Sequence, residues 1–325
     1  MEYACLGKTG MKASKIAFGS WAAGKGAEWG RSLEDKVYID AIRSSIENGV
    51  DLIDTAAGYG QGTSEEMVCR ALKGVNKKVY IATKNNAASL RKGKGPDTVS
   101  ESMKRLGRDY IDIFFLHWPD PDIPIEENVE ELCSLKEKGL IGAVGLSNVS
   151  IEHLKRAVNI GNVDVIQPCY SLFWRHIEND VLPFCISNQI GVITYSTLAQ
   201  GLLSGKFKKG WKFEGADQRP RKIPFFQKEI FEDAIEAVEK MKVTAAAYEK
   251  TVAQAALNWT IRQQGITSAI VGAKTSKQAV ENTGAADWKM SEEDARTIGG
   301  LGMSIAQRLM DWDTLFAKED PRIRT

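Results

Sequence analysis

Short runs of β-branched and aromatic residues alternate along this chain with segments whose apolar residues recur every three or four positions. The runs begin near Lys15 (KIAFGS), Leu52 (LIDT), Val79 (VYIAT), Ile111 (IDIFFLH), Ala143 (AVGLS), Val163 (VDVIQP), Gly191 (GVITYS) and Ser268 (SAIVG). From the second to the seventh, the starts lie 27, 32, 32, 20 and 28 residues apart, room each time for one helix and two loops. A run such as IDIFFLH has no period-2 polarity, so both faces are buried, as in a parallel sheet covered by helices.

The intervening segments carry helix punctuation. Ser32 precedes a stripe of Leu33, Val37, Ala41, Ile42 and Ile46, and Gly49 closes it. Thr63 with Glu66 has capping-box spacing before Met67, Val68, Ala71 and Leu72, and Gly74 follows. Ser150 opens a segment carrying Ile151, Leu154 and Val158, and Gly139 ends one carrying Val129, Leu132 and Leu135. Eight strand–helix units at near-constant spacing predict an α/β fold, a (β/α)8 TIM barrel; an open doubly wound sheet is the runner-up. The spacing breaks once, where starts at 191 and 268 lie 77 residues apart around a basic loop and two helical patterns. Sequence beyond about Asp287 predicts an extra helix and a C-terminal segment. No linker is visible, so residues 1–325 read as one domain.

Composition then removes classes. Lys and Arg total 43 and Asp and Glu 42, a net charge of +1, so no global field holds nucleic acid or an anionic membrane. No apolar run reaches the ~18–20 residues of a membrane span. The opening MEYACLGKTGMKAS lacks a signal-peptide core, which predicts a cytoplasmic protein. Five scattered cysteines (Cys5, Cys69, Cys133, Cys169, Cys185) read as buried thiols rather than a disulfide frame. Three histidines (His117, His153, His176) without H-x-x-x-H spacing predict no metal site, which also argues against a metal-dependent sugar isomerase on this barrel.

Barrel enzymes work at the carboxyl ends of their strands. The polar residues there are Asp54 and Tyr59 in DTAAGYG, Lys84 in IATKNN, His117 in FFLHWPD, Ser147 and Asn148 in GLSN, Gln167, and Tyr195 in ITYSTLAQGLLSGK. Singly, each has an ordinary reading: a loop cap, a packed ring, a solvated lysine, a structural histidine. Together they make a site. A lysine among apolar strands needs an anion, which Asp54 supplies. An ammonium beside a phenol is expected to lower its pKa from ~10 and make Tyr59 a proton donor near neutrality. His117 orients the same substrate oxygen. An acid without metal or nucleophile suits carbonyl reduction, with the hydride borrowed from a cofactor.

DTAAGYG, IATK, LHWPD, GLSN and QPCYS, in that order, resemble the aldo-keto reductase superfamily. The similarity runs from about Leu6 to Asn282 and is closest to bacterial members that also resemble potassium-channel β subunits. The resemblance implies a barrel with an N-terminal β-hairpin lid and extra C-terminal helices, NADPH/NADP+ bound without a Rossmann fold, and reduction of aldehydes or ketones. By position, Asp54, Tyr59, Lys84 and His117 match the family's catalytic tetrad. Ser147, Asn148 and Gln167 match residues holding the nicotinamide carboxamide, Tyr195 the aromatic stacked on its ring, and Ser20 and Trp21 contacts after the first strand. Ser196, Leu198, Gly201 and Leu203 belong to the same cofactor-side loop, and Gly272 ends the eighth run.

For the adenosine end, Lys274, Gln278, Glu281 and Asn282 match the family pattern. Thr275 with Gln278 predicts a helix start, where free N–H groups and the dipole favour an anion. Lys274 just before it favours a ribose 2′-phosphate, hence NADPH over NADH. From Lys206 to Lys222, seven basic residues face Glu214 and Asp217. Lys206 and Arg219 are the candidates to close over the pyrophosphate as a belt, the remaining charges reading as a solvated loop. Trp21, Trp29, Trp118, Phe225, Phe226 and Trp312 are candidates for an apolar substrate wall. The implied partner is a small carbonyl substrate, with monomer or homo-oligomer left open. A regulatory subunit that holds NADP(H) and turns over little is the alternative; the absence of a partner segment ahead of the hairpin favours the enzyme.

Overall fold

The computed structural model describes residues 1–24, 33–214 and 217–311. Eight parallel strands close into a barrel: β3 (Ile16–Gly19), β4 (Leu52–Asp54), β5 (Tyr80–Asn85), β6 (Ile111–Leu116), β7 (Ile141–Ser147), β8 (Val165–Gln167), β9 (Gly191–Thr194) and β10 (Ser268–Gly272), with β10 pairing back onto β3. All eight runs picked out by pattern are strands of it. Side chains alternate between two apolar layers. Ala17, Leu52, Ala82, Ile113, Phe115, Ala143, Val165, Ile193 and Ile270 fill the barrel interior. Ile16, Phe18, Ile53, Ile81, Phe114, Val144 and Val192 face the surrounding helices. Two inward-looking and outward-looking apolar sets explain why the strands lack polar alternation.

The helices α1 (Asp35–Glu47), α2 (Thr63–Leu72), α3 (Gly95–Leu106), α4 (Ile125–Glu137), α5 (Ile151–Ile160), α6 (Val181–Asn188), α7 (Arg219–Lys222), α8 (Lys228–Ala246), α9 (Val252–Arg262), α10 (Ser276–Thr283) and α11 (Glu292–Ala306) follow the strands or extend beyond them. The long gap after β9 holds α7, α8 and α9, and α11 is the extra C-terminal helix. An antiparallel hairpin of β1 (Tyr3–Cys5) and β2 (Lys12–Ser14) precedes the barrel. Its turn sends Leu6 into the interior from the amino-terminal end, at 1% exposure. Gly7 has φ +53°, and a Cβ there would lie 2.5 Å from the Gly191 nitrogen, so the plug needs glycine. The hairpin is therefore a floor, leaving the carboxyl end open.

Local punctuation differs from the expectation at two helices. Thr63 is the first residue of α2 rather than its cap, Gly62 takes the cap in the left-handed region, and the Thr63 hydroxyl donates to Gly60 O at 2.7 Å. At α10 the Thr275 hydroxyl accepts from Gln278 N as expected, but the Gln278 side chain reaches back to Lys274 N instead. The cysteines also differ in part: Cys169 and Cys185 are buried, Cys69 and Cys133 are half-buried, and Cys5 is exposed; all five are free thiols. Among the described residues no helix is long and apolar enough to cross a membrane.

Candidate active site

Asp54 ends β4, Lys84 lies near the end of β5, Tyr59 stands on the loop after β4, and His117 follows β6, so all four converge at the open mouth. Lys84 is fully buried and Asp54 is 3% exposed. The Lys84 ammonium lies 2.8 Å from each Asp54 carboxylate oxygen. It also donates to Thr55 O at 2.6 Å and reaches the Tyr59 hydroxyl at 3.5 Å. Gln167, on the far side of the barrel, donates its amide to Asp54 Oδ1 at 2.7 Å. The Tyr59 and His117 rings meet edge to face with centroids 5.7 Å apart.

The electrostatics follow from burial and pairing. Burial opposes the charge on Lys84, but Asp54 and Tyr59 outweigh it and the pKa rises. Burial draws the Asp54 carboxyl upward, against the hold of Lys84 and Gln167. Tyr59 corrects the sequence expectation. Burial raises its pKa, Lys84 opposes this, and the net shift is upward rather than downward. Desolvation of a phenolate costs more here than an ammonium at 3.5 Å returns. The phenol thus stays protonated at neutral pH, beside an ammonium whose charge favours its phenolate. His117 is driven down to about 3, by burial first and the Lys84 charge second, so its imidazole is neutral.

A second chain of hydrogen bonds runs around the mouth. Tyr195 donates its hydroxyl to Asn148 Oδ1 at 2.7 Å; Asn148 Nδ2 donates to His117 O at 2.9 Å and to Ser147 Oγ at 3.0 Å. Ser147 Oγ donates to Gln167 O at 2.8 Å. Asn148 (φ +58°) and Ser196 (φ +56°) hold left-handed backbone, which side-chain-bearing residues rarely adopt away from functional loops.

Around this geometry the comparisons with known proteins agree. The model of the Aldo/keto reductase family matches residues 15–302. The chain belongs to that family. It is 38% identical to the aldo-keto reductase YhdN of Bacillus subtilis over 312 residues, 93% of each chain. It is 36% identical to the NADH-specific methylglyoxal reductase of Escherichia coli, covering 92% of this chain and 98% of that one. A probable voltage-gated potassium channel subunit beta of Arabidopsis thaliana is 30% identical, over 88% of this chain and 92% of that one. Among solved structures, a glycerol dehydrogenase from Gluconobacter oxydans superposes with a TM-score of 0.84 at 30% identity, covering 95% and 96% of the two chains.

Away from the tetrad, this aldo/keto reductase gathers a cationic group. Lys206 and Lys274 both have lowered pKa values, Lys206 to about 8, by desolvation and then by the positive charge of Arg219. Arg219 is 6% exposed, paired with Asp217, donates to Gln200 O at 3.1 Å, and lies over the rings of Phe207, Phe226 and Phe213. Gly201 (φ +91°) lies beneath the Lys206 and Arg219 side chains. Leu198 is half-buried and Leu203 fully buried on the same turn, whose Thr197 hydroxyl ties it to Ile270 O of β10. Lys274 and Gln278 stand at the start of α10, Glu281 within it, and Asn282 donates to Gly272 O at 3.3 Å.

Some expectations change. Ser20 is 1% exposed with its hydroxyl turned to Asp54 O and Ser64 Oγ, a support for the site rather than an open contact. Trp21 and Trp118 stand half-buried at the mouth. Phe225 and Phe226 do not wall a pocket: Phe225 packs on Phe173 and Trp174, and Phe226 on Phe207, Phe213 and Phe231. Trp29 and Trp312 lie outside the described residues. Sequence reasoning missed that Gln167 holds Asp54, that Thr55 supplies a carbonyl to Lys84, and that Asp217 pairs Arg219. The first two depend on register across the barrel and on backbone, which no residue motif signals. The Asp217–Arg219 spacing was readable. Among the described residues no cluster of three or more His, Cys, Asp or Glu could hold a metal.

Proposed function

We propose that the protein reduces an aldehyde or ketone to the alcohol with NADPH, Tyr59 acting as proton donor. The observation that carries the reading is a half-buried phenol kept protonated beside an ammonium that is itself fixed by a carboxylate. The residues fit a phosphorylated dinucleotide: burial, and then the Arg219 charge, lower the pKa of both Lys206 and Lys274, and a polyanion seated there offsets both costs. When bound, the nicotinamide would supply the hydride to the carbonyl carbon, leaving the protein to supply the proton. Tyr195 is the residue that would lie against that ring, and Ser147, Asn148 and Gln167 those that would hold its carboxamide. Ser196, Leu198, Gly201, Leu203 and Lys206 line the pyrophosphate path with Arg219 as a belt. Lys274, Gln278, Glu281 and Asn282, beside Gly272, take the adenosine end, with the 2′-phosphate on Lys274. Trp21 and Trp118 flank the carbonyl.

The substrate oxygen sits between the Tyr59 hydroxyl and the neutral His117 ring, both of which donate hydrogen bonds to it. As negative charge develops on that oxygen, the Tyr59 proton moves to it and Lys84 stabilises the phenolate left behind. A chain of free thiols suits a reducing compartment, the cytosol. The test is a panel of aldehydes and ketones with NADPH and NADH, followed at the nicotinamide absorbance. Turnover with NADPH above NADH supports the proposal. Tight NADPH binding without turnover on any carbonyl supports the regulatory reading instead.

A further inference from the structure

We infer that Ser64, which touches neither substrate nor cofactor, is a positioning residue that sets where the Lys84 ammonium and the Tyr59 loop stand. The inference rests on the reading of Tyr59 as proton donor. Ser64 lies at the start of α2 and is fully buried, as is Thr55, with Ser20 at 1% exposure. Its hydroxyl oxygen is 2.9 Å from Thr55 Oγ1, 2.7 Å from Ser20 Oγ and 3.0 Å from Ser20 O. The Ser20 hydroxyl donates to Asp54 O at 2.9 Å.

Each hydroxyl has one proton to give. The assignment that satisfies all three runs one way: Thr55 donates to Ser64, Ser64 to Ser20, and Ser20 to Asp54 O. The chain starts and ends on the two residues that hold Lys84, one by its carbonyl and one by its carboxylate. It closes the loop from Asp54 to Ser64, and Tyr59 is in the middle of that loop. A further contact fixes the crown of the loop: a Cβ on Gly60 would lie 1.9 Å from Gly24 O, so the two backbones touch there. In a sealed site a hydroxyl network is either complete or costly. Ser64 is its middle member, bonded to Thr55 after β4 on one side and to Ser20 after β3 on the other.

Removing the Ser64 hydroxyl leaves Thr55 without its acceptor and frees the loop to drift. Misplacement on the order of 1 Å costs catalysis about 100-fold. The test uses the full chain, NADPH and 4-nitrobenzaldehyde, comparing wild type with Ser64→Ala, Ser64→Thr and Tyr59→Phe. In Ser64→Ala, kcat is expected to fall by about 10–100-fold while KM for the aldehyde and the NADPH affinity change by less than about threefold, the mark of an interaction felt in the transition state. The alkaline limb of kcat should move to higher pH, because Lys84 no longer offsets the burial of the phenol. Ser64→Thr, which keeps the hydroxyl, should recover most of the loss. If Ser64→Ala does not fold, Thr55→Val removes one hydroxyl of the chain at nearly constant volume, and the same kcat loss and pH shift are expected from it. Wild-type kcat and pH profile in a folded Ser64→Ala, with Tyr59→Phe inactive, overturn the inference alone; so does a loss in Ser64→Thr equal to that in Ser64→Ala. Undiminished turnover in Tyr59→Phe overturns the proton-donor reading beneath it.

Discussion

The two ends of the barrel both place carboxylates at strand termini and use them in opposite ways. At the floor, Asp51 accepts from Ser14 N, Asp112 from Ile81 N and Asp164 from Val144 N, each bridging to a neighbouring segment's backbone. Lys136 adds a pair to Asp164 at 2.6 Å. At the mouth, Asp54 accepts from Lys84 and Gln167, side chains that come from two other strands. A carboxylate answered by backbone fixes strand register. One answered by side chains fixes charge and reach at a reacting group. Positive φ is concentrated at the mouth, where Gln61, Asn148, Ser196, Ala199 and Gln200 hold it, against Gln189 in the turn before β9 at the floor. Strain of this kind sits where the chemistry is proposed, and the floor, plugged by Leu6, carries the stability.

The contrast breaks most visibly at Lys84. In Lys84→Met, kcat should fall by about 100–10,000-fold, since the phenolate loses the Lys84 ammonium beside it. Asp54, left buried against Gln167 alone, should cost roughly 3–5 kcal/mol in urea unfolding. If kcat stays within a factor of a few, the mouth is not organised by charge.

His117 gives a pH-dependent version. Its folded pKa is about 3 against an ordinary 6.5, so between these values the unfolded chain binds a proton that the folded chain refuses. The stability from a neutral His117 is therefore complete above 6.5 and is lost as pH falls toward 3, by up to roughly 1.4 kcal/mol for each pH unit. His117→Gln should flatten that acid limb in urea titrations from pH 7 to pH 4, while lowering carbonyl reduction at pH 7. An unchanged slope contradicts a neutral His117 imidazole at the mouth.

The floor sharpens the comparison from the other side. Leu6→Ala should cost about 2–5 kcal/mol of stability by opening a cavity under the barrel, with kcat within about twofold of wild type at 25 °C. A large kcat loss in a folded Leu6→Ala protein would couple two ends that the account keeps separate. The smallest effect is expected at Lys206, whose pKa of about 8 in the free protein makes it neutral as pH rises past that value. NADPH affinity should weaken between pH 7 and pH 9, and Lys206→Ala should bind NADPH about tenfold less tightly with that dependence reduced. Calorimetry at both pH values checks it.

Much of this was legible because apolar runs and helix stripes repeat with one unit's period. All eight strands were found from burial on both faces, and the tetrad followed from reading what comes after each strand. Three things were not legible. The direction of the Tyr59 shift depends on how completely the phenol is buried, which no motif reports. The Gln167–Asp54 bond joins residues 113 apart whose meeting depends on barrel closure. Phe225 and Phe226 read as pocket wall because aromatic residues in a loop look alike whether they face a cleft or the core; their packing on Phe173 and Trp174, and on Phe207, Phe213 and Phe231, is a property of the folded chain.

On the proposed mechanism Tyr59, held protonated next to Lys84, delivers the proton that completes reduction. Single-turnover oxidation of bound NADPH by Tyr59→Phe, measured against wild type with 4-nitrobenzaldehyde at pH 7, tests it most directly. The expected rate is at least ~100-fold lower, with NADPH affinity unchanged. A rate within a few-fold of wild type would contradict it.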